Sequence, residues 1–136
     1  MTEAVDSSIT VAAILADHEA HDPAEEALSR SDTTIAHVAA ETYSVLTRVP
    51  PPLRLDAATA ATIVDSRLPR ELVTLEADGH ASALGRLAAA RISGGATYDG
   101  LIALTALEHD LLLLSRDRRA ARTYRALGVR FQLLTA

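Results

Sequence analysis

The stretch Gly94-Gly95-Ala96-Thr97-Tyr98-Asp99-Gly100-Leu101-Ile102-Ala103-Leu104-Thr105-Ala106-Leu107-Glu108-His109-Asp110, continued by Leu111-Leu112-Leu113-Leu114-Ser115-Arg116-Asp117-Arg118-Arg119-Ala120, decides the reading of this chain. The double glycine opens it as a turn. Leu101, Ile102, Leu104 and Leu107 recur at helical spacing, and the leucine run that follows is too short for a second buried helix. The order is therefore loop, helix, strand, helix. Asp99 falls at the helix entrance and Asp117 just past the strand, which in a parallel α/β sheet is the edge where ligands bind.

The flanking sequence repeats this alternation. Residues 2–6 read as a short first strand, interrupted by Glu3, and Ile9 to His18 as a helix with Ser7 or Ser8 as its N-cap. Asp22-Pro23-Ala24-Glu25-Glu26 reads as a second helix start, with Asp22 capping and Pro23 in the first helical position. Thr33 to Val38 is β-branched and predicts a strand feeding a helix from Val38 to Arg48, which puts Glu41 in that helix's first turn. Pro50-Pro51-Pro52 stops the helix and reads as a stiff connection. Asp56 then caps a helix from Ala57 to Ser66, Glu71 to Leu75 reads as a strand, and Asp78 to Ile92 as a helix. After the central unit a helix from Arg118 to Leu127 is closed by Gly128 in the left-handed conformation, and Val129 to Leu134 reads as the final strand. Such alternation predicts a three-layer α/β/α sandwich around a mainly parallel sheet of about five strands, one domain spanning residues 1–136.

Composition removes several kinds of chemistry. There is no cysteine, so thiol catalysis, thiolate zinc sites and disulfides are excluded. All 13 cationic residues are arginine, which excludes a Walker lysine and a Schiff-base lysine. The first residues lack the basic start and apolar core of a signal peptide, and no apolar run approaches membrane length, so the expectation is a cytoplasmic protein with no membrane partner. The net charge of −5 argues against a surface that grips nucleic acid everywhere. Its distribution is uneven, however. Acids dominate the first third, whereas Arg116, Arg118, Arg119, Arg122, Arg125 and Arg130 crowd the end.

Asp6, Glu41, Asp99 and Asp117 each fall at a strand exit or in the first turn of the helix that follows, so parallel strands would gather all four on one edge. Four close carboxylates raise one another's pKa and need compensation, which a divalent cation supplies. Oxygen-only ligation favours Mg²⁺, with Mn²⁺ as the alternative, over zinc. That arrangement suits phosphodiester hydrolysis. Taken singly, each acid could equally be a helix cap, and a non-catalytic α/β binding or scaffold module would use them so.

Tyr98-Asp99-Gly100-Leu101-Ile102-Ala103 and Leu114-Ser115-Arg116-Asp117-Arg118-Arg119-Ala120 resemble the second half of PIN-domain ribonucleases, in particular the VapC toxins of bacterial toxin–antitoxin pairs. Val5-Asp6-Ser7-Ser8 and Glu41-Thr42-Tyr43-Ser44-Val45-Leu46 extend the likeness across nearly the whole chain. The resemblance implies a metal-dependent endoribonuclease that leaves a 3′-hydroxyl and a 5′-phosphate, pairs as a homodimer and is held by a cognate VapB-type antitoxin. By the same resemblance Asp6 and Asp99 are direct metal ligands, Glu41 and Asp117 complete the catalytic site, and Ser8 and Ser115 support the acids.

Arg116, Arg118, Arg119 and Arg122 lie beside the last acid and are candidates for backbone phosphates of an RNA substrate; the competing expectation is a solvated face paired with the acidic amino-terminal third. A haloacid-dehalogenase-like phosphatase would need an Asp-x-Asp pair and usually a lysine, and neither is present. His18 and His21 at a helix end read as exposed, His37 as structural, and His80 and His109 as surface or cap positions. Tyr43, Tyr98, Tyr124 and Phe131 are too few for a single-strand stacking platform and read as core or interface residues.

Overall fold

The computed structural model describes residues 1–134. Five short strands, β1 (Glu3–Val5), β2 (Thr34–Ile35), β3 (Leu72–Val73), β4 (Leu112–Ser115) and β5 (Phe131–Leu133), alternate with seven helices. The helices are α1 (Ser7–Ile14), α2 (His21–Arg30), α3 (Ala36–Arg48), α4 (Ala57–Arg67), α5 (Ala77–Ala89), α6 (Ala96–Glu108) and α7 (Arg118–Leu127).

Every strand pairing is parallel, as the alternation predicts, but the strands form two ladders instead of one: β1-β4-β5 and β2-β3. The seam lies at Asp32. Its amide donates to the Glu3 carbonyl at 3.0 Å, while the Glu3 amide turns to the Asp32 carboxylate at 3.2 Å. A side chain thus takes the place of the next backbone acceptor, and the ladder stops there. Thr34 and Ile35 pair instead with Leu72 and Val73, which leaves β2 and β3 only two residues each, shorter than the sequence predicts.

The leucine run occupies the centre of the larger ladder. Because successive side chains point to opposite faces, Ala4 and Leu113 enter a core with Ile35, Val38, Ile102, Ala103, Ala106 and Tyr124. Val5 and Leu114 enter another with Ile9, Ala12, Ala13, Ala24, Ala27 and Leu28. With α1 and α2 on one side and α3, α6 and α7 on the other, Ala4, Val5, Leu113 and Leu114 are buried on both faces of the sheet, which is why the leucine run does not alternate with polar residues. Two satellite clusters seat α4 against α3 through Leu46, Ala60 and Val64, and α5 against α6 through Ala83, Leu87 and Leu104. Gly94 has φ +60° ahead of α6, the tight turn that the glycine pair predicts, and Gly128 at φ +76° closes α7.

Several local expectations are corrected. Asp6, not Ser7 or Ser8, is the N-cap of α1, its carboxylate accepting the Ser8 amide. The helix α2 begins at His21 without a side-chain cap, so Asp22 and Pro23 sit inside its first turn, where an amide has no intrahelical partner and proline is tolerated. Since α3 begins at Ala36, Glu41 lies in its second turn rather than its first. Among the described residues no helix is long and apolar enough to cross a membrane.

Candidate active site

The site begins where β1 ends. The Asp6 amide donates to the Leu114 carbonyl at 3.0 Å, so its side chain emerges at the carboxyl end of the sheet, 3% exposed. Its Oδ1 accepts the Ser8 amide at 3.0 Å and the Ser8 hydroxyl, and its Oδ2 accepts the Tyr124 hydroxyl at 2.7 Å. Burial pushes the Asp6 carboxyl above the ordinary carboxylate range, and the hydroxyls of Ser115, Ser8 and Tyr124 oppose that rise. Burial and the neighbouring carboxylate keep the Tyr124 phenol far above its usual value, so it remains a donor.

Ser8 is a hub. Its hydroxyl accepts the Arg116 amide at 2.9 Å and lies 3.4 Å from the Ser115 hydroxyl, which in turn accepts the Asp117 amide at 3.0 Å. The turn after β4 is therefore fastened to the start of α1. Asp117 caps α7, its Oδ1 accepting the amides of Arg119 at 2.8 Å and Ala120 at 3.3 Å. On the other side the Ser7 hydroxyl donates to Glu41 Oε1 at 3.2 Å, and beneath them the buried hydroxyls of Thr10 and Thr42 meet to lock α1 to α3.

Asp99, in the first turn of α6, carries the electrostatic signature. Its carboxyl is pushed up to about 7, first by burial and then by the charges of Glu41, Asp6 and Asp117. These four acids are spread over 112 positions of sequence, yet Asp99 feels the charges of the other three. The ion pairs found among the described residues join Glu3, Glu25, Glu26 and Glu108 to Arg30, Arg67, His21 and His109, and none involves the four. An all-oxygen donor set with one carboxyl near neutrality and no cationic partner fits a hard divalent cation.

The carboxylates are not drawn together as tightly as a filled site would hold them. Among the described residues, the group of three with ligand atoms all within 4.8 Å of one another is Glu76, Glu108 and His109, at the far end of α6. Hydrogen bonds account for that group. Glu108 Oε2 accepts the Glu76 amide at 2.8 Å, capping α5 across the fold, and His109 Nε2 donates to the Thr74 carbonyl at 2.7 Å, which occupies the nitrogen a metal would need.

Among the arginines, Arg116 is half-buried and contributes its amide to the hub, while Arg118 and Arg119 stand exposed in the first turn of α7, directly after Asp117. Arg122, one turn further along α7, lines a groove with Arg91 and Ala96. None of the ion pairs found among the described residues joins any of the four to the acidic amino-terminal third, contrary to the solvated-pair expectation.

Two participants escape the sequence. Tyr124 is fully buried, as its reading as a core residue predicts, but its hydroxyl serves Asp6. Tyr98, read as a core or interface residue, is 52% exposed, and its ring lies parallel to His37 at 5.5 Å between centroids. The pair lines a groove of about 470 Å³ with Ser7, Glu41, Ser44 and Arg48. The only sequence signal for Tyr98 was its place beside Asp99.

Comparison with known proteins bears on this architecture directly. Residues 4–126 match the PIN domain family. The chain is 40% identical over 132 residues to Ribonuclease VapC40 of Mycobacterium tuberculosis, covering 97% of this chain and 98% of the relative. It is 38% identical over 128 residues to Ribonuclease VapC27 of the same species, covering 93% and 92%. The fold is also similar to a chain in the crystal structure of VapBC2 from Rickettsia felis bound to a DNA fragment from their promoter, with a TM-score of 0.68 at 18% identity over 99% of this chain and all of that one. The chain thus belongs to the PIN-domain family, and within it to the VapC ribonucleases.

Proposed function

We propose that this ribonuclease is a divalent-metal-dependent endoribonuclease, using Mg²⁺ or Mn²⁺, and the toxin of a toxin–antitoxin pair. It acts in the cytoplasm as a single-domain chain that forms a homodimer, and its partners are RNA and a cognate VapB-type antitoxin. The observation that carries the reading is Asp99, raised to about 7 by burial and by Glu41, Asp6 and Asp117, while none of the ion pairs found among the described residues involves these acids. Relatives bearing the names VapC40 and VapC27 along nearly the full length support the nucleolytic class.

In this reading Asp6 and Asp99 ligate the ion, and Glu41 and Asp117 complete its surroundings. A cation so held supplies charge neutralisation and Lewis acidity to the phosphodiester and to the attacking water. The chain's own groups do the rest. Ser8 and Tyr124 fix both oxygens of Asp6, so that carboxylate arrives oriented. Ser7 steadies Glu41, and Asp117 spends Oδ1 on its cap, which leaves Oδ2 for the cluster. Arg118 and Arg119 hold the RNA backbone at the rim. Water attacks phosphorus, the bond from phosphorus to the 3′-oxygen breaks, and that oxygen takes the proton, leaving a 5′-phosphate.

The test is a cleavage assay on total cellular RNA with Mg²⁺, Mn²⁺ or EDTA, comparing the wild type with Asp99→Ala. Cleavage that requires the cation and is lost in the variant is expected. Cleavage that survives both chelation and substitution overturns the proposal, and products ending in a 2′,3′-cyclic phosphate would point to attack by the 2′-hydroxyl instead.

A further inference from the structure

We infer that the groove between α3 and the start of α6 is a subsite for an unpaired nucleobase of the RNA, with Tyr98 as its stacking surface and Arg48 holding a neighbouring phosphate. The inference rests on the ribonuclease reading, since the groove shares Glu41 and Ser7 with the acidic pocket.

An aromatic ring left more than half exposed keeps apolar surface in water, which is informative when the ring is also held in place. Tyr98 is held. Its ring lies at 5° to the His37 imidazole, 5.5 Å between centroids, an offset parallel pile that fixes the plane a third ring would join. Unpaired bases bind by such stacking because every base has a π-face.

The groove's other wall has a polarity that suits a nucleotide. Glu41, Ser44, Val45 and Arg48 fall at i, i+3, i+4 and i+7 and so share one face of α3. The wall runs from a carboxylate beside the acidic pocket to an exposed guanidinium about 10 Å further on, two helical turns away. Arg48 makes none of the ion pairs found among the described residues; its Nε donates to the Ser44 hydroxyl at 3.4 Å. A base on Tyr98 with its chain passing from the acids to Arg48 meets a ring, hydroxyls and a cation in turn. The volume of about 470 Å³ leaves room for it.

The experiment uses a ten-nucleotide single-stranded RNA of mixed sequence carrying one 2-aminopurine, titrated in Mg²⁺ with protein in the Asp99→Asn background so that binding is read without cleavage. Binding should quench the probe. Tyr98→Ala should abolish the quenching and weaken binding by about 5- to 100-fold, whereas Tyr98→Phe should stay within about twofold. Arg48→Ala should weaken binding and flatten its dependence on salt. Unchanged affinity and quenching in Tyr98→Ala overturn the subsite. So does a Tyr98→Ala protein that binds RNA as before but no longer sediments as a dimer, which would assign the ring to a protein interface. The two readings fail separately: a wild type that quenches the probe through Tyr98 but never cleaves RNA would sink the nuclease and leave the subsite standing.

Discussion

The phenol of Tyr124 in α7 donates a 2.7 Å hydrogen bond to Oδ2 of Asp6, 118 positions earlier, from a side chain that is itself fully buried. It joins the last helix to the first strand through the atom pair on which the orientation of Asp6 depends. Tyr124→Phe keeps the packing and deletes the donor, so it should cost about 1–3 kcal/mol of stability by leaving a buried carboxylate oxygen unpaired. It should also weaken the stabilisation that Mg²⁺ confers. Urea unfolding with and without the cation measures both, and a variant identical to wild type in each would show the bond to be idle.

Asp99 makes the cation-free protein sensitive to alkali. Its folded-state value of about 7 lies above the 3.8 of an ordinary aspartate, so between these values the native state holds a proton that the unfolded chain has released. Stability contributed by that proton is complete at low pH and is lost as pH rises through 7. In EDTA, thermal unfolding of the wild type should drop between pH 5 and pH 8. Asp99→Asn should drop less, with the part due to Asp6 remaining. Mg²⁺ should recover the wild type at pH 8 and not the variant. A flat profile for the wild type would contradict the shared negative pocket.

Asp117 separates capping from chemistry. Its Oδ1 takes two amides of α7, a task asparagine performs as well as aspartate. Asp117→Asn should therefore unfold like wild type, whereas Asp117→Ala should lose about 1 kcal/mol. Both should cleave RNA about 10- to 100-fold more slowly if the carboxylate serves the cation. Full activity in Asp117→Asn would reduce this residue to a helix cap.

Arg118 and Arg119 are exposed beside Asp117 and make none of the ion pairs found among the described residues. Replacing both with alanine should weaken RNA binding and make the slope of log affinity against log salt shallower by about 1.4, two phosphates' worth for a single strand. The same slope in the double variant would place RNA elsewhere on the surface.

Much of this protein was legible in the order of its residues. Periodicity located all seven helices, and the Leu111–Leu114 run announced a strand buried on both faces, because local spacing and apolarity are properties of contiguous sequence. The short motifs around Asp6, Glu41, Asp99 and Asp117 named the family that the comparisons establish. What contiguous sequence lacked was competition between distant groups. The Asp32 carboxylate takes the Glu3 amide where the ladder of β1 ends, Thr34 pairs with Leu72, and α3 begins at Ala36 with Glu41 in its second turn; none of these is set by local spacing. Nor does a tyrosine on an apolar helix face declare what its hydroxyl reaches. Sequence by itself determined which elements form and which side chains carry charge; only the tertiary structure decided which charges share a pocket, which hydroxyls orient them and which aromatic ring stays open to solvent. Hydrogen bonds and electrostatic fields act over distances in space, and only the folded chain sets those distances.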